Sequence, residues 1–138
     1  MHTRTATLAL LILVPVSGAI GSDSRYETAR SQGIEDSTNP LYQDWYLGEM
    51  RPVFSSVFQT GLDRCTSSAR GNELTTLGLV FVVDSDGAVG EFFASDDTRF
   101  ARCLEATIRG QRYPPAPKEQ FYFGLDFAPP SKGTRAAR

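Results

Sequence analysis

The chain has 138 residues, of which 41% are hydrophobic, enough for one ordinary globular core and too few for two. Its formal net charge of −2 gives no domain-wide basic footprint for nucleic acid, so protein or cell-envelope material is the expected partner. The single histidine, His2, falls in the leader described next; a chain without it has no Ser-His or Cys-His nucleophile pair and no imidazole metal site.

The opening "MHTRTATLALLILVPVSGAIGS" sets Arg4 before the apolar stretch Ala6 to Val16 and small residues after it, the pattern of a secretory signal peptide over 1–19 with cleavage after Ala19. The apolar run is shorter than the roughly 20 residues that span a bilayer, and Pro15 interrupts it, so no stable membrane span is expected and a retained anchor is the weaker reading. Residues 20–40 are polar, lack sustained periodicity and read as a linker.

The folded domain is expected over 41–127. Val53, Val57, Gly61 and Cys65 recur at four-residue steps with Phe54, Phe58 and Leu62 beside them, which predicts an amphipathic helix with Pro52 in its first turn. These aromatics read as core rather than as a ligand box. "LGLVFVV" follows as a strand, with Leu77, Leu79, Phe81 and Val83 on one face and Val80 and Val82 on the other. Asp86-Gly87 predicts a type I′ hairpin turn, "AVGEFFAS" the returning strand, and Ser95, Asp96 or Asp97 the cap of a second helix through Phe100, Cys103, Leu104, Thr107 and Ile108 that Gly110 stops. "FYFGLDF" is the last strand, with Phe121, Phe123, Leu125 and Phe127 on one face and Tyr122, Gly124 and Asp126 on the other. The tail 128–138 carries Lys132, Arg135 and Arg138 without apolar pattern and reads as a disordered basic end.

Two readings compete for the acidic stretch "VFVVDSDGAVGEFFASDD". An EF-hand loop is a poor match, because the glycine comes early and Phe92 to Ser95 fill later ligand positions. No metal, cofactor or catalytic group is therefore assigned, and the carboxylates are taken as turn and cap chemistry. The alternative is an envelope enzyme, carboxylate-based or metal-dependent, using Asp84, Asp86, Glu91 or Asp96. Cys65 and Cys103 form an even pair that export would bridge, closing a loop of about 38 residues, with two buried thiols as the alternative. Both lie on apolar helix stripes and are expected to face each other.

"LVFVVDSDGAVGEFFAS" and "RFARCLEATIRGQRYPPAP" resemble the strand, Asp-Gly turn, strand and second helix of the carboxy-terminal domain of TonB-like proteins. Helix cysteines placed like Cys65 and Cys103 are similar to a variant branch in larger envelope proteins of delta-proteobacteria. The resemblance covers about Met50 to Phe127 and implies an α+β fold: a three-stranded antiparallel sheet with two helices packed on one face, in the periplasm. The long Pro-rich spacer of TonB is missing, which leaves a protein or peptide interaction module, periplasmic or secreted, that binds by strand addition or through an apolar sheet face.

On that arrangement Val80, Val82, Phe93 and Tyr122 form an apolar face opposite the two helices. Either "LYQDWYL", with Leu41, Trp45 and Leu47, folds back over it, or it is a surface for an envelope protein or for a homodimer. For strand addition the expected edge is Phe121 to Phe127, where Gly124 allows close approach and Tyr122 and Asp126 choose among the side chains of an extended peptide.

Overall fold

In a computed structural model, which describes residues 22–67, 69 and 76–128, the chain is α+β. Helix α1 is Ser22–Thr38 and α2 is Arg51–Thr66. Strand β1 is Leu77–Asp84, β2 is Val89–Ala94, α3 is Arg99–Arg109 and β3 is Gln120–Phe127. The sheet is three-stranded and antiparallel, as expected, and its order is β2-β1-β3. The leader 1–19 and nearly all of the basic tail lie outside the described residues.

The central strand β1 is buried on both faces from Leu77 to Val83, so a continuous apolar run, rather than a clean alternation, suits it. Leu77, Leu79, Phe81 and Val83 join Phe121 and Phe123 of β3 under α2 and α3. Phe54 of α2 lies 5.4 Å from the Phe81 ring and 4.6 Å from that of Phe123. Gly61 allows the two helices to close up, since a Cβ there would meet Leu104 Cδ2 at 3.2 Å. The predicted stripe of α2 holds at Phe54, Gly61 and Cys65, but Val53 is 36% exposed and stands outside it. A bridge joins Cys65 to Cys103 with their Cα atoms 5.7 Å apart, linking the two helices. Closure of so long a loop contributes about 3 to 4 kcal/mol in the chain-entropy account.

Two local expectations are corrected. Among the described residues only Gly87 has positive φ, at 84°, so the hairpin turn is not type I′. Gly87 N–H donates to Asp84 O and Asp84 N–H to Ala88 O, which makes a three-residue loop ending in a left-handed glycine. A side chain at Gly87 would also run into the Tyr113 carbonyl, because the segment after α3 docks on this loop through Tyr113 N–H to Gly87 O at 2.9 Å. The cap of α3 is Thr98, whose Oγ1 accepts from Ala101 N–H at 3.0 Å. Ser95 is drawn instead to Gly78 of β1, and Asp97 pairs with Arg102.

The largest correction is α1. The segment expected as a linker is a 17-residue helix laid over the second sheet face. Its buried residues, Tyr26, Ala29, Gly33 and Asp36, follow steps of three, four and three, one helical stripe. The stripe consists of a phenol, two small residues and an acid, so hydropathy alone does not reveal it. The "LYQDWYL" segment does not cover that face. It enters a run of short 3-10, α and π turns from Pro40 to Met50 on the first face, where Trp45 packs 4.8 Å from Phe121. Leu41 and Leu47 stay exposed.

Candidate functional site

The two outer strands offer different edges. In an antiparallel ladder alternate residues direct both N–H and C=O to the same neighbour. Gly78 of β1 bonds toward the β2 side, through its C=O to Ser95 N–H and its N–H to Ser95 Oγ. Even-numbered β1 residues therefore serve β2 and odd-numbered ones serve β3. From the register, Tyr122, Gly124 and Asp126 turn their backbone groups outward along β3, and Phe92 and Ala94 do so along β2.

The β3 edge is closed at its start. Tyr122 N–H donates to Asp36 Oδ2 at 2.9 Å, while Asp36 Oδ1 accepts from Lys118 Nζ at 2.8 Å and Gln32 Nε2 at 3.1 Å. Asp36 is 2% exposed, and three donors compensate the burial of its charge. α1 rides close on the strand backbone beyond it: a methyl group at Gly33 would touch Gly124 N at 3.4 Å and Tyr122 O at 3.6 Å. Arg30 pairs with Asp126 at 3.0 Å. After α1 the chain turns past the start of β3 onto the first face, where Tyr42 and Trp45 both meet the Phe121 ring.

The residues expected to hold a partner are thus largely engaged within the chain. Phe121, Val80 and Val82 are fully buried. Phe93 and Tyr122 are half-buried against Tyr26 and Ala29 of α1, and Asp126 holds Arg30. An open apolar face does not exist in this conformation, because α1 fills it. Tyr26 sits so close to β1 that a Cβ on Gly78 would lie 1.8 Å from its hydroxyl. Burial, followed in size by the nearby Asp126 carboxylate, raises the Tyr26 phenol above its ordinary range.

The β2 edge is different. Among the described residues no group bonds to the outward N–H or C=O of Phe92 and Ala94. Gly90 C=O accepts from Arg109 Nη1 at 3.2 Å, beside the bulge that interrupts the ladder at Val82/Val83. A cleft of about 310 Å³ runs along this edge, lined among others by Arg25, Glu91, Phe93 and Arg109. A second of about 320 Å³ continues past Ala94 to Asp96, Asp97 and Glu105. Nothing in the residue pattern distinguished this edge from that of β3; only the position of α1 does.

The four acidic candidates are dispersed. Asp86 Oδ1 accepts from Ala88 N–H inside the turn while its Oδ2 lies 3.8 Å from Arg112 Nη1, Glu91 reaches Arg25 at 4.0 Å, and Asp96 is exposed beyond β2. Asp84 has its carbonyl committed to Gly87 and Ala116 and its carboxylate beside Gly90. Among the described residues no group of three or more His, Cys, Asp or Glu is placed to hold a metal ion, and no helix is long and apolar enough to cross a membrane. What fold and edges define is a disulfide-bridged α+β domain with one sheet edge capped at its start by α1 and the other open. Comparison with known proteins adds no closer identity: no family model, no curated protein and no solved structure matches.

Proposed function

We propose that this chain is an exported cell-envelope interaction module, in keeping with its likeness to TonB carboxy-terminal domains, and that it takes an extended segment of a protein partner as an added strand. The observation that carries this reading is the contrast between the edges. β2 presents the unbonded backbone of Phe92 and Ala94, whereas α1 occupies Tyr122 of β3. The disulfide supports an oxidising compartment. Dispersal of the acidic side chains over a turn, a strand and a helix approach favours binding over acid/base chemistry.

The site therefore moves from the β3 edge to the β2 edge, with main-chain bonds to Phe92 and Ala94. Peptides selected from a random display library on the immobilised full chain test this. Binding is expected to slow amide exchange at Phe92 and Ala94, to fall at least about tenfold in Ala94→Pro, which removes an outward donor, and to persist in Asp84→Asn and Asp86→Asn. Circular dichroism first establishes that the proline variant folds. Binders indifferent to the proline but lost with the asparagines would place the site at the acidic turn instead.

A further inference from the structure

The charges flanking the β2 edge point to a specific occupant. The Gly90 end carries two cations: Arg109, which holds Glu105 on its own helix and reaches across the edge to the Gly90 carbonyl, and Arg25 on the α1 side, 4.0 Å from Glu91. The Ala94 end carries Asp96 and Asp97, both exposed, of which Asp97 is paired with Arg102 at 2.6 Å and Asp96 has no partner among the described residues. Asp96, Asp97 and Arg109 all belong to the side of the sheet covered by α3.

We propose that β2 pairs with β2 of a second copy of this chain about a two-fold axis at Phe92, giving a continuous six-stranded sheet across two molecules. The proposal rests on the strand-addition reading of this edge and names its partner. An antiparallel two-fold sets Phe92 against Phe92 of the second copy and Ala94 against its Gly90, so that outward groups meet outward groups. The same operation brings the unpaired Asp96 of each copy, with Asp97 beside it, toward Arg109 of the other. A parallel strand of the same sequence would set like charges side by side. Gly90 and Ala94 are small enough for close backbone approach, and the Gly90 carbonyl has a second lone pair for the incoming Ala94 N–H while Arg109 keeps the first. The axis stands normal to the sheet, so α3 meets α3 on one face and α1 meets α1 on the other.

Sedimentation equilibrium of the purified full chain across concentration and salt tests the pairing. A reversible dimer that weakens with salt is expected. Ala94→Pro, and separately the double change Asp96→Arg with Asp97→Arg, should each raise its dissociation constant at least about tenfold. Adding Arg109→Asp to the arginine pair should restore the dimer, since each copy then carries both halves of the exchanged charge. Gly124→Pro on the β3 edge, once circular dichroism shows that it folds with α1 seated, should leave the dimer unchanged. A chain monomeric at high concentration, a dimer unmoved by Ala94→Pro, or one that requires Gly124 would overturn the proposal. If the chain is monomeric yet still binds displayed peptides in a proline-sensitive way, self-pairing fails and the strand-addition reading stands. If dimers form and no extended peptide binds, the edge serves self-association alone.

Discussion

One face of the sheet is closed by carbon and sulfur, the other by a helix anchored on an acid. On the first, seven aromatic rings from four segments surround Phe81 and Phe121, and a disulfide ties the two covering helices. On the second, the cluster is Tyr26, Ala29 and Val80 with Phe93 and Tyr122 at its margin, and the end of the covering helix is fixed by Asp36. Apolar burial is spread over many contacts and has no single point of failure, but a buried carboxylate with three donors concentrates its contribution in one side chain. The second face should therefore be the one that opens.

The largest effect is expected at the centre of the first face. Phe81→Ala removes a side chain with no exposed surface and should cost about 3 to 5 kcal/mol in denaturant unfolding, lowering the stability of the whole domain in one transition. On the second face Asp36→Ala should cost roughly 2 to 3 kcal/mol, because it leaves the Tyr122 amide and the Lys118 ammonium without their partner. Its signature is local: amide exchange at Tyr122 and along α1 should accelerate before the first face responds. Asp36→Asn keeps an acceptor for Tyr122 N–H and should recover part of the loss. Equal, global loosening in both alanine variants would abolish the distinction between the faces.

The smallest effect is a pH response shared by both. Burial raises the phenols of Tyr26 on the second face and Tyr113 on the first. A raised folded-state value means that the neutral phenol is favoured in the native state. Its contribution is complete below the unfolded value of about 10 and is lost as pH climbs from there through the folded value. Tyr26→Phe should leave stability at pH 7 little changed and reduce the alkaline loss; the part that persists belongs to Tyr113, and the double phenylalanine variant should remove most of both. An alkaline profile identical in Tyr26→Phe would show that this phenol does not sense the packing of α1.

How far the sequence discloses these two faces follows from which residues build them. The first was legible because its elements announce themselves by hydrophobic period: Phe54, Gly61 and Cys65 on α2, Leu77 to Val83 on β1, Phe121 and Phe123 on β3. Parity of the cysteines and their places on those stripes anticipated the bridge. The second was illegible because its helix buries Tyr26, Ala29, Gly33 and Asp36, whose period is correct but whose hydropathy is mixed. Turn details failed for smaller reasons. Asp86-Gly87 fits two hairpin geometries, and the docking of Tyr113 on Gly87 involves residues far along the chain. Thr98 prevailed over three other acceptable caps because Ser95 is bonded to Gly78 and Asp97 to Arg102. Which edge is open depends wholly on the helix that hydropathy hides.

The path of α1 to its seat also sets an order of events during synthesis. Its anchoring contacts join residues 82, 86 and 96 positions apart, whereas the disulfide joins residues 38 apart. Contacts of long sequence separation form late and slow the overall rate. At ordinary translation speeds the interval between the emergence of Asp36 and that of Tyr122 is roughly 4 to 17 s. From the emergence of Val80 and Val82 to that of Tyr122 the helix over them lacks its Asp36 anchor, although the helices of the opposite face can meet at Cys65 and Cys103 once both have emerged. A nascent chain of this protein thus passes through a stage in which its central strand is half sheltered, and the step that ends it is the arrival of the final strand.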